Sequence, residues 1–345
     1  MSPTPLDCSG WTEPPGQVGS VWHVFPSSSC QTVFIVPRNG YANRLQAWAS
    51  ASILAADLRA DLRVVWEPEA VAPAVPEDIF SPSTVTGSFA PSDLLADLLG
   101  TRHQDLPRYL NALPERDAVV LAGHDRGEQA FMASLAQLLA VPDGPSTLVI
   151  IAGGKFHLPD RVPFAPALRG FYQGIAWSEA VDGRTNATLD GHGPFIGLHV
   201  RQTDRSREAP ADRSIATALG SLRDRFGVDS LYLATDTEQA RTTWQPRAAA
   251  LGLKAWWMPG VDRDRGSVTA AIDAMAEWRI LARAMAIAYP AASTYSTEAA
   301  IAGGTDACSR ALTAPDWLQR VRGLREQARS ATRYPARRWA STLRH

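Results

Sequence analysis

At 345 residues the chain is too long for one ordinary core and suits two domains of about 150 residues each. The formal net charge is −1 and the apolar fraction 45%, the balance of a globular enzyme-sized protein with no electrostatic footprint for nucleic acid. Lys155 and Lys254 are the only lysines, so nearly all positive charge is arginine. With the alanine richness, this fits a GC-rich bacterial genome better than a dedicated phosphate-binding surface. No apolar run reaches the roughly 18 residues of a spanning helix. Met1 to Val21 is rich in Pro, Ser and Gly and lacks an apolar h-region, so a cytoplasmic location is expected. Cys8, Cys30 and Cys308 are too few for a disulfide framework, and free thiols are expected.

From Thr32 the pattern alternates strand and helix. Positions 32–36 form a β-branched run, and a turn at 37–40 precedes a helical stretch over about 43–60 with apolar residues near a 3.6 period. A strand at 62–66 follows. The Pro- and Ser-rich segment 71–92 reads as loop with short turns. Strands at 118–122 and 147–152 bracket a helix over about 128–139. A break falls at 179–193, where Gly, Asp, Asn and Thr cluster. Beyond it come a strand at 195–200, a helix at about 214–226, a strand at 230–234, a helix at about 238–251 and a strand at 255–258. A helix over about 268–286, an apolar segment at 288–293 and a last helix from Thr297 complete the pattern. Alternating βαβ units imply an α/β protein with parallel sheets covered by helices. The break divides it into 1–180 and 190–345. The arginine-rich stretch 317–345 reads as a solvated helix face with a frayed tail.

Four segments carry candidate chemistry. Gly40-Tyr41-Ala42-Asn43-Arg44-Leu45 lies between a strand and a helix, where backbone N–H groups favour an anion. Asn43 also fits a plain N-cap. Next, Ile196 to Val200 runs into Arg201, Gln202, Thr203, Asp204 and Arg205. His199 alone reads as a core histidine. Arg201 shares its face by strand alternation and needs an anionic partner. Leu231-Tyr232-Leu233-Ala234-Thr235-Asp236 ends the next strand, with Asp236 open to a helix-capping reading. Finally, Glu277 precedes an apolar helical stretch, and Ser293 to Ala300 is rich in Ser and Thr. A carboxylate there accepts two hydrogen bonds at once from guanine N1–H and N2–H2. Asp273, one turn earlier, competes with Glu277. Ser296 and Thr297 suit phosphates at a helix N-terminus, or a capping cluster. Asp262-Arg263-Asp264 has the spacing of a metal motif, but the interleaved arginines and missing partner ligands favour a surface loop.

Taken in order, these segments resemble the fucosyltransferase superfamily, which holds the α1,6-fucosyltransferases, the protein O-fucosyltransferases and the rhizobial nodulation enzyme. The 199–205 string is similar to the family's His-x-Arg-Arg-Thr-Asp-Lys signature, with Gln202 at its second arginine and Arg205 at its lysine. The turn at 40–45 is similar to Gly-x-Gly-Asn-Arg-Leu, with Ala42 at the second glycine.

The resemblance implies a GT-B architecture, two Rossmann-like domains facing a cleft, with 1–180 on the acceptor side and 190–345 binding the nucleotide sugar. It implies an inverting, metal-independent glycosyltransferase that moves a sugar, foremost fucose, from a GDP-sugar to a hydroxyl of a glycan, peptide or small molecule, with no further cofactor. Arg201 then meets the donor pyrophosphate. Gly40, Asn43, Arg44, His199, Thr203, Asp204, Thr235, Asp236, Asp273 or Glu277, Ser296 and Thr297 line the donor, and Glu208 is the candidate base. Two rivals stand beside this reading: a non-catalytic sugar-nucleotide or glycan binder, and a transferase using a UDP- or TDP-sugar.

Overall fold

A computed structural model describes residues 30–99, 118–122, 128–140, 144–157, 164–202, 210–264 and 266–313. Its first half contains β1 (Thr32–Pro37), α1 (Tyr41–Leu58), β2 (Asp61–Val64), α2 (Pro76–Ile79), α3 (Pro82–Ser88), α4 (Ser92–Leu99), β3 (Ala118–Leu121), α5 (Glu128–Leu139) and β4 (Thr147–Ala152). The strands form one parallel sheet in the order β2-β1-β4-β3. Helices cover both faces of such a sheet, which is why β1 is a continuous apolar run, buried from Val33 to Pro37, rather than an alternating one.

Two helices, α6 (Phe164–Gly174) and α7 (Glu179–Leu189), lead into the second half. There β5 (Ile196–Val200), α8 (Asp212–Phe226), β6 (Ser230–Thr235), α9 (Glu238–Ala250), β7 (Lys254–Trp256), α10 (Val268–Leu281), β8 (Ile287–Pro290), α11 (Thr294–Gly303) and β9 (Arg310–Leu312) follow. The second sheet is also parallel, in the order β7-β6-β5-β8-β9. In each sheet the winding reverses beside one strand, β1 in the first and β5 in the second. Open α/β sheets hold ligands outside the carboxyl ends of strands at such points.

The halves share a core. One apolar cluster runs from Leu45 and Trp48 on α1 through Tyr172 and Trp177 to Met275, Trp278 and Ala299. Edge-to-face rings carry it across: Trp48–Phe171 centroids are 5.0 Å apart and Tyr172–Trp278 5.6 Å. Helix α6 packs on α1 and α11, and α7 packs on α10. Gly303 brings α11 against the end of α10, where an added Cβ would meet the Ala282 carbonyl oxygen at 2.1 Å.

Several sequence expectations need correction. The supposed break at 179–193 is largely α7, capped by Ser178, which accepts from Val181 N at 3.3 Å. Its buried stripe is Val181, Thr185 and Thr188. The two threonine hydroxyls donate to carbonyls one turn back, at 2.7 and 2.9 Å, so these polar side chains are satisfied in core positions. In the expected loop 71–92, Pro76 and Pro82 sit at helix starts, the one place in a helix that suits proline. Helix α10 stops at Leu281 rather than near 286, and α11 begins at Thr294 rather than Thr297. Cys30 is a buried free thiol but Cys308 is disulfide-bonded, which overturns the expectation of free thiols at that position. Among the described residues no helix is long and apolar enough to cross a membrane. The arginine-rich stretch 317–345 lies outside the described residues.

Candidate functional site

The carboxyl end of β5 lies beside the start of α11. His199, only 8% exposed, places Nδ1 2.5 Å from Ser296 Oγ and 3.3 Å from Ser293 Oγ. Ser293 is the α11 N-cap, accepting from Ser296 N at 3.3 Å. Burial holds the imidazole down at about 4, aided by the Arg201 charge and opposed by Asp236. His199 is therefore neutral at physiological pH, and the cationic role at this strand end falls to Arg201.

Arg201 and Gln202 are half-buried just past β5. Gln202 N donates to both carboxylate oxygens of Asp236, at 2.9 and 3.0 Å. Asp236 is thus not the cap of α9. Thr237 is, accepting from Ala240 N at 3.1 Å, while its hydroxyl donates to Gln202 Oε1 at 3.4 Å. Thr235 is buried and donates to Thr237 O at 3.0 Å. Thr235 and Asp236 accordingly fix the turn that presents Arg201. Thr297 Oγ1 donates to Ser293 O at 2.9 Å, within the first turn of α11. Thr203, Asp204 and Glu208 lie outside the described residues.

A second group sits under this turn. Tyr295 has its ring 5.4 Å from that of His199 and donates to Ala274 O on α10 at 2.5 Å. Glu277 on the same helix accepts from Tyr232 Oη at 3.3 Å. Burial pushes its carboxyl up to about 7, with Tyr232, Arg263 and Arg184 pulling down and Asp273 pushing up. Arg241 stands over the Trp257 ring at 4.9 Å and senses both Arg263 and Glu277. Asp273, by contrast, is committed: Oδ1 accepts from Arg184 Nε at 2.7 Å and Oδ2 from Asp262 N at 2.8 Å. Of the two acids, Glu277 retains acceptor capacity for a base.

At the end of β1, Gly40 is the α1 N-cap and makes no side-chain cap bond, so Asn43 is not the cap. Asn43 is half-buried in the first turn. Arg44 turns inward and is 0% exposed. Its Nε donates to Asn39 O at 2.8 Å and Nη1 to Glu67 O at 2.7 Å, and its plane lies 4.9 Å from the Trp66 centroid. Nη2 is 3.4 Å from Glu69 Oε2, an ion pair off the line of an N–H bond. Arg44 therefore ties the β1–α1 turn to the chain beyond β2 and offers no guanidinium to the cleft.

Neither protein-family models nor curated protein sequences match the chain. Solved structures do. Fucosyltransferase NodZ from Bradyrhizobium matches with a TM-score of 0.54 at 18% identity, covering 78% of this chain and 92% of that one. Arabidopsis thaliana FUT1 in complex with GDP matches with 0.57 at 15%, covering 80% and 69%. POFUT1 in complex with GDP-fucose matches with 0.50 at 13%, covering 84% and 99%. The chain thus has the α/β, GT-B-like fold of the fucosyltransferases.

Proposed function

We propose that the protein is a fucosyltransferase-like glycosyltransferase that takes a sugar, fucose, from a GDP-sugar and passes it with inversion to an acceptor hydroxyl. The observation that carries this reading is the convergence at the β5 switch point of Arg201, the neutral His199 and the hydroxyl-lined start of α11. It occurs in a fold shared with proteins solved with GDP or GDP-fucose bound. In this reading 190–345 binds the donor and 1–180 faces the acceptor, which is a glycan, peptide or small molecule.

Roles follow from the chemistry. Glu277 accepts from guanine N1–H and N2–H2, a pair of donors that uracil and adenine lack. The diphosphate lies at the N-terminus of α11, where the helix dipole favours an anion, although the Ser296 and Thr297 N–H groups are themselves taken by Ser293 Oγ and Ser293 O. Ser296 Oγ orients His199 rather than the donor. As the glycosidic bond breaks, the sugar gains oxocarbenium character and charge builds on the leaving diphosphate. Arg201 stabilises that charge, with planar donors that cannot lose their proton. No divalent ion is needed for this step. Glu208 is the proposed base for the acceptor hydroxyl.

One observation favours the non-catalytic alternative. The family's second arginine is Gln202, and its side chain is engaged by Thr237. Release of fucose from GDP-fucose into water separates the two readings. Donor class is tested by thermal shift. GDP at about 100 times its dissociation constant should stabilise the fold by about 2.7 kcal/mol, and UDP at the same concentration by less. Equal shifts would remove the guanine assignment.

A further inference from the structure

Helices α1 and α11 open at the carboxyl ends of the two sheets, and one buried polar contact joins them. Gln46 lies five residues beyond Tyr41 in α1, and Glu298 four beyond Thr294 in α11. At a rise of 1.5 Å per residue, both sit about 6–8 Å behind their helix starts. Gln46 is 3% exposed and Glu298 0%, and Gln46 Nε2 donates to Glu298 Oε1 across 2.6 Å. Tyr172 Oη, on α6, donates to Glu298 Oε2 at 2.7 Å, and the phenol is pushed well above its ordinary range by burial and by that carboxylate. Lys155, in the segment after β4, brings Nζ to 3.7 Å from Glu298 Oε1.

This contact is an unusual way to join two helices. The surrounding seam is apolar, and apolar side chains of similar volume hold such a seam together as well as a buried charge does. A carboxylate with two directed hydrogen bonds supplies a single register, which apolar packing does not.

We propose that Glu298 is a positioning residue for the donor diphosphate, pinning the N-terminus of α11 to that of α1 through Gln46. The inference rests on the donor reading above. The α11 turn holds the phosphate nearer the nucleoside, and the pin sets the distance to the Gly40–Asn43 turn that meets the terminal phosphate. Lys155 balances the buried charge, so the anion does not face an uncompensated carboxylate one turn away.

The test compares GDP with GMP, because the pin acts on the terminal phosphate and leaves the guanosine contacts alone. Affinities for both nucleotides are measured by calorimetry on the full chain and on Glu298→Ala, Glu298→Gln, Gln46→Met and Tyr172→Phe. Glu298→Ala should weaken GDP about threefold to thirtyfold, the range for residues that act on a site through a network, and leave GMP unchanged. Glu298→Gln should recover most of the GDP affinity, since its amide offers one acceptor and one donor to Tyr172 and Gln46. Should the alanine variant fail to fold, Gln46→Met and Tyr172→Phe decide by the same ratio. A wild-type protein that binds neither nucleotide overturns the donor reading and the pin together. Wild-type binding, with a GDP-to-GMP ratio unchanged in folded variants, overturns the pin alone.

Discussion

At the end of β1 an arginine turns into the protein, and at the end of β5 another stands just outside the strand. Arg44 is fully buried, its donors directed at two backbone carbonyls and Glu69. Arg201 is half-buried, on a turn held by Asp236 and Thr237 through its neighbour Gln202. Both follow an apolar parallel strand at a switch point, and both belong to motifs that resemble fucosyltransferase sequences. One guanidinium supports a turn and the other is supported by one. A cation near a strand end is thus not by position alone a ligand for phosphate, since Arg44 serves its own turn.

The sharpest way to break this comparison is to remove each arginine in turn. Arg201→Ala should lower release of fucose from GDP-fucose by about 10²–10³, the cost of losing one donor to developing charge. Arg201→Lys should recover only part, because an ammonium lacks the planar fork. Wild-type rates in either variant would move the leaving-group role elsewhere. Arg44→Ala should act on folding instead. Two part-buried carbonyls lose their donor while Glu69 keeps Arg38, which costs about 1–3 kcal/mol in denaturant unfolding. A stable Arg44→Ala protein with abolished turnover would exchange the two roles.

Much of this contrast was legible in sequence, but not its sense. The β1, β5 and β6 runs announce buried parallel strands, and the order of motifs along them fixes where the crevices lie. Local pattern does not reveal which way an arginine turns, because Asn39 O and Glu67 O are backbone acceptors of no particular residue type. Helix α7 was hidden because threonine fills two of its core positions. Glu298 carries no local mark of its burial. Its partner Gln46 is 252 positions away, and such a pairing leaves no trace in local periodicity.

Glu277 sharpens the comparison from the nucleotide side. Its carboxyl titrates at about 7, so it is largely protonated in mildly acidic solution. Only the ionised form accepts from both guanine donors, so GDP affinity should rise as pH increases through about 7 and level off above it. In the free protein the sign is opposite. A group raised from 4.5 to about 7 contributes stability below 4.5 that is lost as pH rises to about 7. Glu277→Gln should flatten the binding profile, and isothermal titrations between pH 5.5 and 8.5 should be taken for both proteins, a window of roughly 1.5 pH units on either side of the titration. A wild-type profile as flat as that of the variant would assign the base to another group.

The smallest expected effect concerns divalent cations. Asp262 and Asp264 have the spacing of a metal motif, yet their carboxylates organise the turn before α10. Asp262 accepts from Asp264 N at 2.9 Å and from the hydroxyl of Ser267, the α10 N-cap, while Asp264 accepts from Gly266 N at 3.0 Å. Those contacts draw Asp262 below the usual carboxylate range, the Ser267 hydroxyl first. A divalent ion requires several oxygens converging from different segments. Under the proposed role of Arg201 at the diphosphate, neither EDTA nor the Asp262→Asn, Asp264→Asn double variant should change release of fucose from GDP-fucose. Loss of activity in EDTA, restored by Mg²⁺ or Mn²⁺, would overturn the proposed metal-free role of Arg201.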